Sequence, residues 1–411
     1  MDYLASLGVD AVRLMPVLPS PNFDLGYDVA DYYGSGPAFG TMDDFHYVGA
    51  ETHVSGLKVI PDQVCSHSSH LHPWFIENAV LRGKPRVDWY VWADPRPDGG
   101  PPHNWLGRFG GFASEWNSTR KQCYLHNFLI DGPDLNLHNP EVQQAIHPVM
   151  RHWFELGVDG LRLDDVNSYI TPGFPHTAYS FELLEPVLSG SHIAKTVTEA
   201  GAVGAWPCWA FLAHDVIRVA TRWGAAGNPD RAGVLQAMPL PLRGSIYLYH
   251  GKGLGLPHSE VPRHRLQDPE AIRFWVNHHG RDGARTLMPW YVDGVSLAFS
   301  TVDGWWPADA GHGNLAISLQ AIDPASSLSL WRALTALRQA HGALRFGSFD
   351  VLIATKTKLV FRRSHAGESL ICGVNFGQTP IPFSFRGLTL AGSLASGMLG
   401  PDSYVILKET P

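Results

Sequence analysis

Cysteine is scarce in this chain. The four residues, Cys65, Cys123, Cys208 and Cys372, are far apart in 411 positions and form no CxxC pair. They read as free thiols in a reducing compartment, so a cytoplasmic location is expected. No apolar run approaches the roughly 18 residues that a membrane-spanning helix requires. Met1 to Gly8 lacks the basic and apolar regions of a signal peptide and reads as the end of a helix running straight into a strand. Basic blocks are missing too. The 31 Lys and Arg are outnumbered by 38 Asp and Glu, giving a net charge of −7. That balance argues against nucleic acid and anionic membranes as partners. No phosphate-cradling glycine loop stands between a strand and a helix, and no cofactor is expected.

What is present is apolar and aromatic. Apolar residues make up 45% of the chain and aromatics 11%, including 14 Trp. This suffices for a large core. Flat rings also suit sugar faces, although core packing accounts for most of them. Short apolar runs lead into polar residues: Val9 to Leu14, Leu57 to Ile60 before Asp62, and Val158 to Leu163 before Asp164. The same holds for Ile193 to Val197 before Glu199, Trp209 to Leu212 before His214 and Asp215, and Ser245 to Leu248 before Tyr249. Amphipathic helices lie between several of them. The clearest is Glu141 to Leu156, with Val142, Ile146, Val149, Met150, Trp153 and Phe154 on one face, Asn139 as N-cap and Gly157 as its stop. Alternating β and α with polar strand ends predicts a parallel α/β fold of the (β/α)₈ barrel type.

Residues 67–139, rich in Pro, Gly, Trp and His, break the alternation and read as an inserted subdomain. After the helix Leu328 to His341 the pattern turns to period two at Leu359 to Arg363, Ser369 to Val374, Pro382 to Phe385 and Tyr404 to Leu407. The expected domains are therefore a barrel from 1–66 and 140–343, the insert at 67–139, and a C-terminal all-β sandwich at 344–411.

Arg162 and Asp164 are two apart, so on a strand they share a face. A guanidinium beside a carboxylate favours its ionised form. An ionised Asp at a strand end suits attack on a sugar carbon, and such chemistry needs a second, proton-bearing carboxylic acid. Glu199, after the run Ile193 to Val197, is the expected one.

Seven segments in order carry a resemblance to the α-amylase superfamily, glycoside hydrolase family 13, near its bacterial α-glucosidase branch. They are Asp24 to Tyr32, Asp62 to His67, Pro133 to Asn136, Gly160 to Asn167, Val197 to Glu199, His214 to Arg218 and Gly280 to Thr286. The resemblance implies a retaining α-glucosidase that removes terminal glucose from short α-glucosides by double displacement, with transglucosylation as a close variant. It implies Asp164 as nucleophile, Glu199 as general acid and base, and Asp215 as the third acid gripping sugar hydroxyls. Asp24, Tyr27, His67, Phe109, Arg162, His214 and Arg285 would hold the terminal glucose. The rival reading is a degenerate, non-catalytic homologue that binds a sugar or a protein.

The chain departs from that pattern in several places. Met1 falls inside what resembles the first helix, so the opening strand is missing. Only about 16 residues separate Glu199 from Asp215. The sixth strand therefore has no room, and six barrel strands are expected in place of eight. Ala213 stands where relatives carry Asn, and Lys252 and Gly253 where they carry an acidic pair. Asp165 replaces a small or apolar residue; if the strand bends there, its carboxylate faces Asp164 and raises a pKa. His67, His70 and His72 lack zinc-site spacing, and His278 and His279 read as a surface pair, so no metal is assigned.

Overall fold

The computed structural model describes residues 1–80, 86–165, 178–202, 206–275 and 280–410. They fall into two units. The first comprises Met1–Gly173 and Gln267–Arg273, the second Phe174–Leu266 and Phe274–Pro411.

In the first unit, β1 (Ala11–Leu14) pairs in parallel with β2 (Lys58–Gln63). The capped helix Met42–Val54 joins them; Thr41 and Asp44 form a reciprocal capping box. Three short strands, β3 (Trp92–Ala93), β4 (Ser114–Asn117) and β5 (Gln122–Leu125), make an antiparallel sheet in the order β3-β5-β4. Helix Pro140–Glu155 follows, with Asn139 accepting from the Glu141 N–H as N-cap. Val142, Ile146, Val149 and Trp153 are buried as their spacing predicts, whereas Phe154 is exposed. Trp153 packs edge-on against Phe45 and donates to the Tyr32 carbonyl at 2.9 Å. The chain then reaches β6 (Arg162–Leu163), which pairs with β2.

In the second unit, β7 (Ala178–Ser180), β8 (Pro207–Ala210) and β9 (Ser245–Tyr247) form a parallel sheet in that order. Helix Gly190–Ala202 is the crossover from β7 to β8. Its buried face carries Ile193, Ala194 and Val197 against Trp209, Phe211 and Phe361. Ile193 and Val197 each stabilise by about 1.5–3 kcal/mol on burial. At Gly190 an added Cβ would lie 2.5 Å from the Lys358 carbonyl, so only glycine permits that approach. The C-terminal part builds a five-stranded antiparallel sheet, β10 (Asp350–Ala354), β11 (Lys358–His365), β12 (Glu368–Asn375), β16 (Ser403–Lys408) and β14 (Leu388–Gly392), in that spatial order. Strands β13 (Ile381–Pro382) and β15 (Met398–Leu399) pair separately. The strand expected at Pro382 to Phe385 is thus shorter and shifted.

Two expectations are corrected. Ile193 to Val197 is helix, not strand. The six parallel strands therefore include Ala178–Ser180 in its place, and they form two three-stranded sheets. Among the described residues no ladder joins β6 to β7. The shortfall also moves. A complete strand-helix-strand unit precedes Asp215, so no sixth strand is missing there. The short connection is instead residues 164–177, too few for a further strand with its own crossover helix.

Candidate active site

The first unit holds a charge cluster at the C-terminal ends of β1, β2 and β6. Asp62 and Arg162 are register partners on adjacent strands, and Arg162 donates to Asp62 Oδ1 at 2.9 Å and also to Asp164 Oδ1. Arg13, on β1, bonds Asp62 Oδ2, and the Tyr27 hydroxyl donates to the same oxygen at 3.0 Å. Two guanidinium groups thus serve two carboxylates. Burial and the Asp62 charge push the Tyr27 phenol well above its ordinary pKa, so it stays a donor. Tyr27 sits on a loop tied by Asp28, whose carboxylate accepts from the Ser20 hydroxyl at 2.7 Å and the Asp24 N–H at 3.0 Å. Asp24 itself is buried.

Arg162 does not hold Asp164 as firmly ionised as the sequence implies. Burial pushes its carboxyl up to about 6, outweighing the guanidinium, and the Asp62 and Asp165 charges add to the rise. The strand ends at Leu163 and Asp165 takes a left-handed φ of 47°. The bend puts the Asp165 carboxylate within electrostatic reach of Asp164, as expected for a strand that bends there.

His67 is buried, and burial holds its imidazole down at about 4, so the ring is neutral. Its Nδ1 lies 2.9 Å from the Ser66 hydroxyl, and its face meets Phe128 at 5.3 Å. Phe109 is buried beside Phe128, with ring centroids 6.1 Å apart. His70 pairs with Asp131 at 3.3 Å, and His72 accepts from the Trp74 N–H. His278 and His279 lie outside the described residues. Asp134 bonds the Asn127 side chain, and burial pushes its carboxyl up to about 7.

The second unit holds Asp215 beyond the end of β8, beside two guanidinium groups and an imidazole. Arg281 Nη1 is 3.2 Å from Asp215 Oδ1, His214 Nε2 3.1 Å and Arg285 Nη2 3.6 Å. Arg285 also donates from Nε to the His214 carbonyl. Its Nη1 is buried with no hydrogen-bond partner among the described residues, a donor that a ligand oxygen would satisfy.

Glu199 is elsewhere. It lies in the last turn of helix Gly190–Ala202, which descends from β7 to the start of β8, whereas Asp215 follows the end of β8. The two therefore flank opposite ends of that layer. The Glu199 side chain is 66% exposed and faces Lys195 one turn earlier, at 3.9 Å. A proton donor needs poorly polar surroundings, and this side chain is open to water. The exposed helical position is not the strand end expected for Glu199.

Sequence reasoning passed over Arg13, Asp62 and Arg281 as site members. A charged residue inside the apolar run Val9 to Leu14 was a readable signal for Arg13, and Asp62 and Arg281 stood within two of the seven segments.

The α-amylase catalytic-domain family matches residues 1–198 and 173–347, as two overlapping stretches. A probable α-glucosidase of Rhizobium meliloti is 36% identical, over 91% of this chain and 83% of that protein. The alignment runs to 461 positions, more than the chain possesses, so part of the relative stands opposite gaps. Oligo-1,6-glucosidase of Heyndrickxia coagulans is 26% identical, over 93% of this chain and 87% of that protein. Among solved structures, the α-glucosyl transfer enzyme XgtA matches with a TM-score of 0.92 and 36% identity, over 100% of this chain and 93% of its own. The trehalulose synthase MutB of Pseudomonas mesoacidophila matches at 0.91 and 25%, over 99% and 93%. The family match, the ordered strand-end carboxylates and the coverage of these relatives agree: this chain belongs to the α-amylase family and is an α-glucosidase-like glycoside hydrolase homologue.

Proposed function

We propose that the chain handles the non-reducing glucose of short α-glucosides through a covalent ester on Asp164, with water or a second sugar as acceptor. The observation that carries this is the cluster Arg13, Asp62, Arg162 and Asp164 at the strand ends of the first unit. Arg162 gives the Asp164 oxygen a fixed partner, and an ionised, aimed carboxylate is what the first displacement needs. Asp215 and Arg285 suit hydrogen bonding to sugar hydroxyls, and the buried donor on Arg285 supports that role. The test is glucose release from p-nitrophenyl α-glucoside with Asp164→Asn as control. Equal rates in both proteins would refute the reading.

A second reading, a sugar-binding homologue without turnover, draws on the exposed helical position of Glu199. It predicts calorimetric binding of maltose, and no p-nitrophenol release from the unaltered protein.

A further inference from the structure

The short helix Asp282–Arg285 serves two places in the second unit. Arg281, at its N-terminal end, meets Asp215. Thr286, at its C-terminal end, is fully buried and lines an open cavity of about 470 Å³. That volume lies within the roughly 300–1,000 Å³ of small-molecule sites. The other walls are the loops 258–262 and 307–310. Both are fixed to the helix. The Ser259 N–H donates to the Gly283 carbonyl at 3.2 Å, and an added Cβ at Gly283 would lie 2.1 Å from the Ser259 carbonyl oxygen, so only glycine permits that contact. Trp306 Nε1 donates to Asp282 Oδ1 at 2.8 Å, just ahead of the second loop. Asp309 caps the following turn by accepting from the Gly311 N–H at 2.8 Å.

The lining chemistry selects among ligands. Ser259, itself buried, holds its hydroxyl 3.2 Å from that of Thr286. Glu260 is exposed and Asp309 partly so. His258 completes the polar lining, its Nδ1 accepting from the Arg218 N–H at 3.4 Å. Burial pushes the Asp309 carboxyl up, but the Ser259 hydroxyl, His312, the Gly311 N–H and Arg218 outweigh it and hold the group below its ordinary range. An ionised carboxylate accepts hydrogen bonds on both oxygens and donates none. Two carboxylates disfavour an anion. A cation gains little, because the fully buried Arg218 lies within electrostatic reach of Asp309 and already balances it. Pro262, Pro307 and Ala308 add non-polar surface between these groups. A neutral ring with adjacent hydroxyls and an apolar C–H face meets all three conditions.

We propose that this cavity binds a neutral saccharide unit, held by Asp309, Glu260 and the Ser259 and Thr286 hydroxyls. It is a site of the second unit alone, additional to the glucose handled at Asp164.

The experiment labels carboxyl groups of the full chain with a carbodiimide and glycine ethyl ester as maltose is raised, and reads each site by peptide mass spectrometry. Labelling of Asp309 and Glu260 should fall at least about 3-fold, because a pocket of this size covers most of its ligand. Glu199, whose side chain is 66% exposed, should keep its labelling. The same protection is expected in Asp164→Asn, whether or not Asp164 is the nucleophile. Thr286→Val, which removes one hydroxyl at constant shape, should raise the half-protecting maltose concentration about 5-fold. Unchanged labelling of Asp309 and Glu260, or a loss that Glu199 shares equally, overturns the proposal. So does protection by ethylammonium with none by maltose, which assigns the cavity to a cation. Protection that disappears in Asp164→Asn places the sugar at the catalytic carboxylate and overturns it as well.

Discussion

Replacing Lys252 with methionine should make the protein more stable, and the gain should depend on pH. The ammonium is 2% exposed in the second unit. It lies 3.3 Å from the Leu235 carbonyl, 3.4 Å from Gln236 Oε1 and 4.6 Å from the Trp331 ring centroid. No carboxylate among the described residues pairs with it. Burial alone pulls its pKa from 10.5 down to about 7. The unfolded chain holds this proton up to about 10.5 and the folded chain releases it near 7. Between those values unfolding takes up a proton, so stability climbs as pH rises. Below pH 7 the full penalty applies, roughly 5 kcal/mol at 1.36 kcal/mol per unit. Methionine fills much the same space but leaves the two oxygens without a donor, a loss of about 1–2 kcal/mol. The net expectation is about 3 kcal/mol of added stability at pH 6 and little or none at pH 10, where the penalty has shrunk to about 1 kcal/mol. Paired thermal melts across pH 6–10 give the answer. A melting difference that does not change with pH, or a variant that melts lower at pH 6, would refute the reasoning.

Three further outcomes follow from the cluster around Asp164. Its pKa rises from 3.8 to about 6 on folding, so the folded state prefers the proton and stability falls as pH climbs through that window. Asp164→Asn should therefore stabilise the protein by up to roughly 3 kcal/mol at pH 7 and by little at pH 4, read from melting curves. Turnover of p-nitrophenyl α-glucoside should rise with pH through about 6 as Asp164 ionises. Arg162→Ala should move that rise to higher pH in the same rate profile, and should cost about 3–5 kcal/mol because Asp62 and Asp164 lose a shared cation. Glu199→Gln should change the denaturation midpoint by less than about 0.5 kcal/mol, since an exposed pair one turn apart is worth little.

Long patterned elements could be read from the sequence. Helix Pro140–Glu155 has a cap, a first-turn proline and six apolar positions at helical spacing, of which Val142, Ile146, Val149 and Trp153 are buried. Ile193 to Val197 shows the limit. A five-residue apolar run fits a buried strand or one face of a helix equally well. The i, i+4 spacing of Ile193 and Val197 favoured the helix, yet the expected carboxyl after the run drew the strand reading. Ala178–Ser180 went unread because three residues carry no period. Asp164 and Arg162 were legible because alternation on a strand fixes which side chains meet. The pKa of Asp164 was not, because it depends on burial, and burial comes from distant segments packing over the site.

The first unit needs Gln267–Arg273 as well as Met1–Gly173, and within it an added Cβ at Gly111 would lie 2.9 Å from the Arg273 guanidinium. During synthesis at about 5–20 residues per second, the stretch up to residue 173 must wait on the order of 5–20 s for its last piece to be made. Until then the buried positions that this piece covers stay open. A ribosome-bound chain halted before residue 267 should be digested by protease within the first unit. One halted after the whole of Gln267–Arg273 has cleared the exit tunnel should resist. The division of this protein is thus a matter of timing as well as of space: its first unit is finished only after the 93 residues Phe174–Leu266 of the second have been made.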